Sequence, residues 1–189
     1  MWGFSSTPTA GRVAITEPQA LAANLHGRAV VRNFGFNMST ANQLDEGGYM
    51  VTGTMDSLLA QNRDARIVII NYGINDAHVD TLPAYVRAMQ SLITKAQAAG
   101  KVVVLEEPNP SCMPDREKLP QYVAALDALA VENKLPLIPM YQVISALPNW
   151  KQDIPDCLHP TQKMYLFKAA LAAKVIGPIV KRLQSGGAQ

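Results

Sequence analysis

Asp156-Cys157-Leu158-His159-Pro160-Thr161 places an acid three residues ahead of a histidine. In a turn, such a carboxylate reaches one imidazole nitrogen and fixes the tautomer, leaving the other nitrogen to take a proton from a nucleophile. Pro160 disfavours helical geometry at His159 and so keeps the turn from merging early into the helix that follows. The alternative is an ordinary helix cap, with Asp156 opening a proline-started helix and His159 merely on the surface.

Tyr72-Gly73-Ile74-Asn75-Asp76 is the second informative stretch. A glycine at a strand end lets the backbone bend sharply, and the Asn75 carboxamide offers a neutral donor suited to an oxyanion. An Asn-Asp turn that caps the next helix is the competing reading. Ser5, in a Ser/Thr-rich loop after Gly3, is the nucleophile candidate and gains weight only from its partners. A serine beside a glycine, a histidine with its own acid, and an Asn donor are together the parts of an acyl-transfer site. Asp76, His78 and Asp80 suggest a metal only weakly, because they sit in a turn leading into a helix; no metal is expected. Glu106 and Glu107 read as solvated or paired with a cation.

The elements that must hold these residues alternate. Helices are expected over 19–25, 54–61, 82–99, 119–133 and 161–183, and strands over 29–32, 66–71, 101–105 and 136–139. The 66–71 and 101–105 runs are apolar almost throughout, as in strands buried on both faces. Leu82, Tyr85, Val86, Met89, Leu92, Ile93 and Ala96 recur at helical spacing before the stop at Gly100. Strand–helix alternation predicts an α/β domain, its mostly parallel sheet covered on both faces. Right-handed crossovers bring the loops after the strands, including 33–40, 72–76 and 106–110, to the carboxyl edge where ligands bind.

With 189 residues, 48% hydrophobic and 17% charged, the chain reads as one folded domain spanning 1–189. A net charge of +2 with scattered Lys and Arg gives no reason to expect nucleic acid. No apolar run is long enough for a membrane helix. The start at Met1-Trp2-Gly3 has no basic and apolar leader pattern, which also suits a mature or trimmed form. Oligomeric state is not legible. Cys112 and Cys157 are either two buried thiols or one disulfide; a shared rim favours the disulfide, which would brace the Asp–His turn and imply a periplasmic or secreted protein rather than a cytoplasmic one.

The blocks resemble the SGNH hydrolases, the GDSL esterases and lipases, in fixed order. Gly3-Phe4-Ser5 stands for Gly-Asp-Ser, and Asn33-Phe34-Gly35-Phe36-Asn37-Met38-Ser39-Thr40 for Asn-x-Gly-x-x-Gly-x-Thr. Gly73-Ile74-Asn75-Asp76 matches Gly-x-Asn-Asp, and Asp156 to Pro160 matches Asp-x-x-His-Pro. The resemblance implies a flavodoxin-like three-layer α/β/α sandwich and no cofactor. It implies Ser5 as nucleophile, His159 as general base and acid, and Asp156 as its orienter. The oxyanion hole would comprise the N–H groups of Ser5 and Met38 and the Asn75 side chain, with Gly35 as alternative to Met38. The expected reaction is hydrolysis of small or short-acyl esters, such as sugar O-acetyl, alkyl or aryl esters. The family's first strand would be very short or trimmed. Phe4 replaces the family's Asp and Met38 its second-block glycine, so the alternative is a catalytically weak or inactive binding module.

Overall fold

A computed structural model describes residues 13–48 and 51–186. The chain divides into two compact units, Phe36–Ser145 and the pair of segments Met1–Gly35 and Ala146–Gln189.

The Phe36–Ser145 unit holds the sheet. Strands β1 (Ile67–Ile70), β2 (Val102–Glu106) and β3 (Leu137–Ile138) run parallel in the order β1-β2-β3. Ile67 lies opposite Val102, and Leu105 opposite Leu137. α2 (Ala41–Glu46) and α3 (Met55–Gln61) precede β1, α4 (Asp76–Val79) and α5 (Leu82–Ala98) link β1 to β2, α6 (Leu119–Glu132) links β2 to β3, and α7 (Met140–Ser145) follows β3; α1 (Glu17–Asn24), the first described helix, belongs to the other unit. The predicted α/β class is therefore present, with each β-to-β connection carried by a helix, as parallel pairing requires.

β2 is buried along most of its length, whereas β1 is only half-buried except at Ile70. The apolar run of β1 thus overstated its burial, since among the described strands it lies at an edge. β3 is two residues long because the flanking Pro136 and Pro139 lack the N–H that would extend the ladder. α5 buries Tyr85, Ala88, Met89, Leu92, Ile93 and Ala96, the stripe its spacing predicts. Gly100 then takes a φ of 72°, the left-handed conformation that ends helices at low cost. The expected strand at 29–32 does not form: Val30 is 86% exposed. Three apolar residues before Arg32, only half-buried at Ala29 and Val31, give little drive to pair. The short helices α2 and α7 had no sequence expectation.

In the other unit α1 packs against α8 (Gln162–Ser185). Thr16 caps α1 through a reciprocal box with Gln19, its hydroxyl accepting from the Gln19 N–H and its own N–H donating to Oε1. Gln162, at the start of α8, pairs with the Ile15 backbone in both directions: Ile15 N–H donates to Oε1 at 2.9 Å and Nε2 donates to the Ile15 carbonyl at 2.7 Å. A fully buried Lys168 on α8 meets Glu17 of α1 at 2.8 Å. Both charges have left water, so truncating Lys168 leaves the Glu17 carboxylate buried without this cation. Lys168→Ala is expected to lower unfolding free energy by about 3–5 kcal/mol. The joint replacement Glu17→Leu with Lys168→Met is expected to cost less than either single change. Urea unfolding of these variants measures this, and a loss below about 1 kcal/mol in Lys168→Ala would contradict a buried pair of this kind.

Candidate active site

Short-range hydrogen bonds shape the Asp156 turn. Asp156 Oδ1 accepts the backbone N–H groups of Leu158 at 2.9 Å and His159 at 2.7 Å. Its Oδ2 lies 2.7 Å from His159 Nδ1. Cys157 sits at the bend with a φ of 67°, and its N–H donates to the Ile154 carbonyl. A left-handed non-glycine residue costs on the order of 1 kcal/mol, so the bend is held by its contacts. Asp156 is not the cap of α8: Thr161 is, accepting the Met164 N–H. With Thr161 as cap, the carboxylate is left to serve the imidazole. Burial alone would raise the Asp156 carboxyl, but the hydrogen bonds from the His159 N–H and ring and from the Leu158 N–H outweigh it and hold it below the usual carboxylate value. Asp156 therefore carries its charge at neutral pH, and loses it only as pH falls below that value. Cys112 and Cys157 are both disulfide-bonded, which selects between the two readings left open by the sequence.

The Phe36–Ser145 unit carries Met38 and Asn75. Met38 has a φ of 59°, which explains why a glycine is expected at this place in the second block. Its side chain is 61% exposed, so the large residue points out of the packed interior. The next residue, Ser39, is buried; its hydroxyl donates to the Phe36 carbonyl at 2.9 Å and lies 3.4 Å from the Tyr72 hydroxyl. Thr40 caps α2 in a second reciprocal box, with Gln43. Asn75 does not cap α4 with its side chain; Nδ2 donates instead to the Ser39 carbonyl at 3.1 Å.

Asp76, adjacent, is fully buried. Its Oδ1 accepts the Ala41 N–H at 2.7 Å and its Oδ2 the Gly73 N–H at 2.8 Å. Gly73 takes a φ of 127°, a conformation that L side chains rarely adopt, while a Cβ there would make only ordinary contact with Tyr85 and Pro108. The Tyr85 hydroxyl, in turn, donates to the Tyr72 carbonyl at 3.3 Å. Burial pushes the Asp76 carboxyl up to about 6, against the opposing pull of the Ala41 and Gly73 N–H groups. Its oxygens are spent on backbone, and His78 Nδ1 faces Asp115 at 3.2 Å. Among the described residues no group of three His, Cys, Asp or Glu is arranged to hold a metal ion.

Gly35, in the other unit, donates its N–H to Asn33 Oδ1 at 3.0 Å. Gly3, Phe4 and Ser5 lie outside the described residues. Glu106 and Glu107 are buried rather than solvated, and neutral amides reach both. Asn71 Nδ2 donates to Glu106 at 2.9 Å, and Gln142 donates to Glu107 from its backbone at 3.1 Å and from its side chain at 3.2 Å. Burial, the first cause, and the neighbouring Asp127 carboxyl push Glu107 up to about 7. Sequence reasoning missed Ser39, Tyr72 and the structural use of Asp76; only the packing of the two blocks reveals them.

Residues 2–166 match the GDSL-like lipase/acylhydrolase family. No curated relative matches the chain. Among solved structures, a G-D-S-L family protein from Desulfitobacterium hafniense DCB-2 superposes with a TM-score of 0.73 at 17% identity, over 92% of this chain and 94% of that one. A lipase/acylhydrolase from Enterococcus faecalis gives 0.69 at 16% identity, over 94% and 90%. An acetylxylan esterase from Geobacillus stearothermophilus gives 0.66 at 18% identity, over 93% and 85%. At these identities the likeness is one of fold, the SGNH-hydrolase fold.

Asp76 gives the site a measurable signature. Its folded value, about 6, lies above the ordinary 3.8, so its contribution to stability is full below the ordinary value and is lost as pH rises through the folded one. A fall of roughly 2–2.5 kcal/mol between pH 4 and pH 7 is expected from this group. Glu107 adds to the same slope, so the informative quantity is the difference between proteins. Asp76→Asn is expected to remove the Asp76 part in urea unfolding at stepped pH; identical slopes would assign the fall to another group.

Proposed function

The chain belongs to the GDSL-like lipase/acylhydrolase family and is a carboxylic ester hydrolase, and we propose that it is a serine esterase of short-acyl esters working through Ser5, His159 and Asp156. The observation that carries this reading is the 2.7 Å contact between Asp156 and His159 Nδ1, inside a turn that sets the ring's orientation. With Nδ1 engaged, Nε2 is the nitrogen that meets the nucleophile.

In this reading Ser5 Oγ attacks the ester carbonyl carbon while its proton passes to His159 Nε2. The carbonyl oxygen, now anionic, is met by the N–H groups of Ser5 and Met38 and by Asn75. An Asn amide has two N–H donors; one is given to the Ser39 carbonyl, and the other is available for the oxyanion. The left-handed backbone at Met38 supports its use as donor, and the Gly35 N–H is already committed to Asn33. As the tetrahedral adduct collapses, His159 gives its proton to the departing alkoxide and an acyl-serine remains. Water then repeats the sequence and releases the acid. Asp156 stays ionised throughout and stabilises the imidazolium.

Acetyl esters of sugars and simple alkyl or aryl esters are the proposed substrates. The structural likeness to an acetylxylan esterase supports the acetyl class. Labelling with a fluorophosphonate and mapping the adduct is expected to identify Ser5. Ser5→Ala and His159→Ala are each expected to slow hydrolysis of p-nitrophenyl acetate by roughly 10³-fold or more. An adduct elsewhere would remove Ser5 from the mechanism, and unchanged rates in both variants would favour the binding-module alternative.

The disulfide state of Cys112 and Cys157 supports a periplasmic or exterior location. Trapping thiols by alkylation during cell lysis is expected to leave both cysteines unmodified; full alkylation would indicate a reducing compartment.

A further inference from the structure

The geometry points to Tyr72 and Ser39 as positioning residues that set the second-block turn and, through it, the angle of the Asn75 amide. This rests on the reading in which the Met38 N–H and the Asn75 amide meet the oxyanion, and it names residues outside the triad and the donor set.

The hydrogen bonding is directional. Ser39 has one hydroxyl proton, and it goes to the Phe36 carbonyl at 2.9 Å. At the 3.4 Å approach between Ser39 Oγ and the Tyr72 hydroxyl, the phenol must then be the donor. Burial pushes Tyr72 upward from its ordinary value, the Ser39 hydroxyl pulling the other way, so the phenol keeps its proton through neutral and mildly alkaline pH. The Ser39 carbonyl, one residue's backbone away, accepts the Asn75 Nδ2–H at 3.1 Å. Ser39 therefore stands between three contacts: Phe36 closing the turn around Met38, Tyr72 from the end of β1, and Asn75 from the Gly-x-Asn-Asp block.

Tyr72 is itself held at its backbone. Its carbonyl accepts the hydroxyl of the fully buried Tyr85, and the next N–H, that of Gly73, goes to Asp76. The phenol thus projects from a fixed point onto Ser39. Met38 stays left-handed at some conformational cost, and among the described residues the Ser39 carbonyl is the acceptor that aims Asn75. A residue that limits movement of Ser39 limits both donors at once. An oxyanion hole depends on donors fixed before the charge develops, so a small loosening lowers kcat and leaves substrate binding alone.

Kinetics with p-nitrophenyl acetate test this on the intact protein. Tyr72→Phe keeps the ring and removes only the hydroxyl. It is expected to lower kcat about 3- to 10-fold, with KM changed less than twofold and the melting temperature nearly unchanged. Affinity for a boronic acid that mimics the tetrahedral adduct is expected to fall by the same factor as kcat. Ser39→Ala is expected to lower kcat at least as much, and Tyr72→Phe added to it to bring little further loss, because both act through one contact.

Asn75→Ala, expected to lower kcat by roughly 10²–10³-fold, separates this inference from the reading beneath it. A large loss in Asn75→Ala with wild-type kcat in Tyr72→Phe overturns the positioning role and leaves the oxyanion reading standing. Unchanged turnover in Asn75→Ala overturns both. A Tyr72→Phe defect seen only as a lower melting temperature or a smaller fraction of titratable active sites would make Tyr72 structural and overturn the inference.

Discussion

Asp76 places an ionisable group where water does not reach, and satisfies it with two backbone N–H groups 35 and 3 residues away in sequence. An unmet donor or acceptor in such a position costs about 1–3 kcal/mol, so the carboxylate, the Gly73 N–H and the Ala41 N–H are bound to one another by mutual need. The arrangement joins the bend after β1 to the first residue of α2. Asn75, the preceding residue, joins the same bend to Ser39. Two adjacent side chains therefore fix where the second block lies against the third. The left-handed turn at Met38 is reached through this junction.

The same device recurs in the other unit with a full ion pair. Lys168 and Glu17 are out of solvent and meet at 2.8 Å where α1 packs on α8. An apolar pair of similar size would hold the helices as well or better, but it would not insist on one rotation and one height of α1 along α8. Both units thus place a charge in the interior and satisfy it by a contact between distant segments. Glu106 and Glu107, at the end of β2, follow with neutral amides from Asn71 and Gln142.

What could be read from the sequence was periodic or compact. The α5 stripe, the buried run of β2 and the Asp156–His159 turn each occupy a short window whose pattern has one strong physical meaning. What could not be read depends on partners far along the chain. Lys168 looks like a surface residue on a helix, and nothing near it in sequence reveals Glu17, which meets its charge. Asp76 looked like a turn residue, because nothing near it reveals the Ala41 N–H. Val30 and its neighbours looked like a strand, and only the absence of a covering surface denies it. The departure at Met38 was visible as a missing glycine, but the reason for a glycine there, a φ of 59°, belongs to the folded chain. Ser5 lies outside the described residues, and its proposed role rests on the block order and the family match.

The Asp156 turn has one further consequence, for the order in which the parts of the site come into being. Its bonds to His159 span three residues, so they form when a single bend closes, at almost no loop entropy. The contacts that aim Asn75 and anchor Asp76 span 36 and 35 residues. They exist only after β1 and α2 have found each other. The hydrogen bonds of the acid–base turn can thus close early, while the charge-stabilising half waits for long-range topology. A folding chain would hold an oriented histidine well before it held anywhere for negative charge to rest, and so would remain catalytically silent until its tertiary structure was complete.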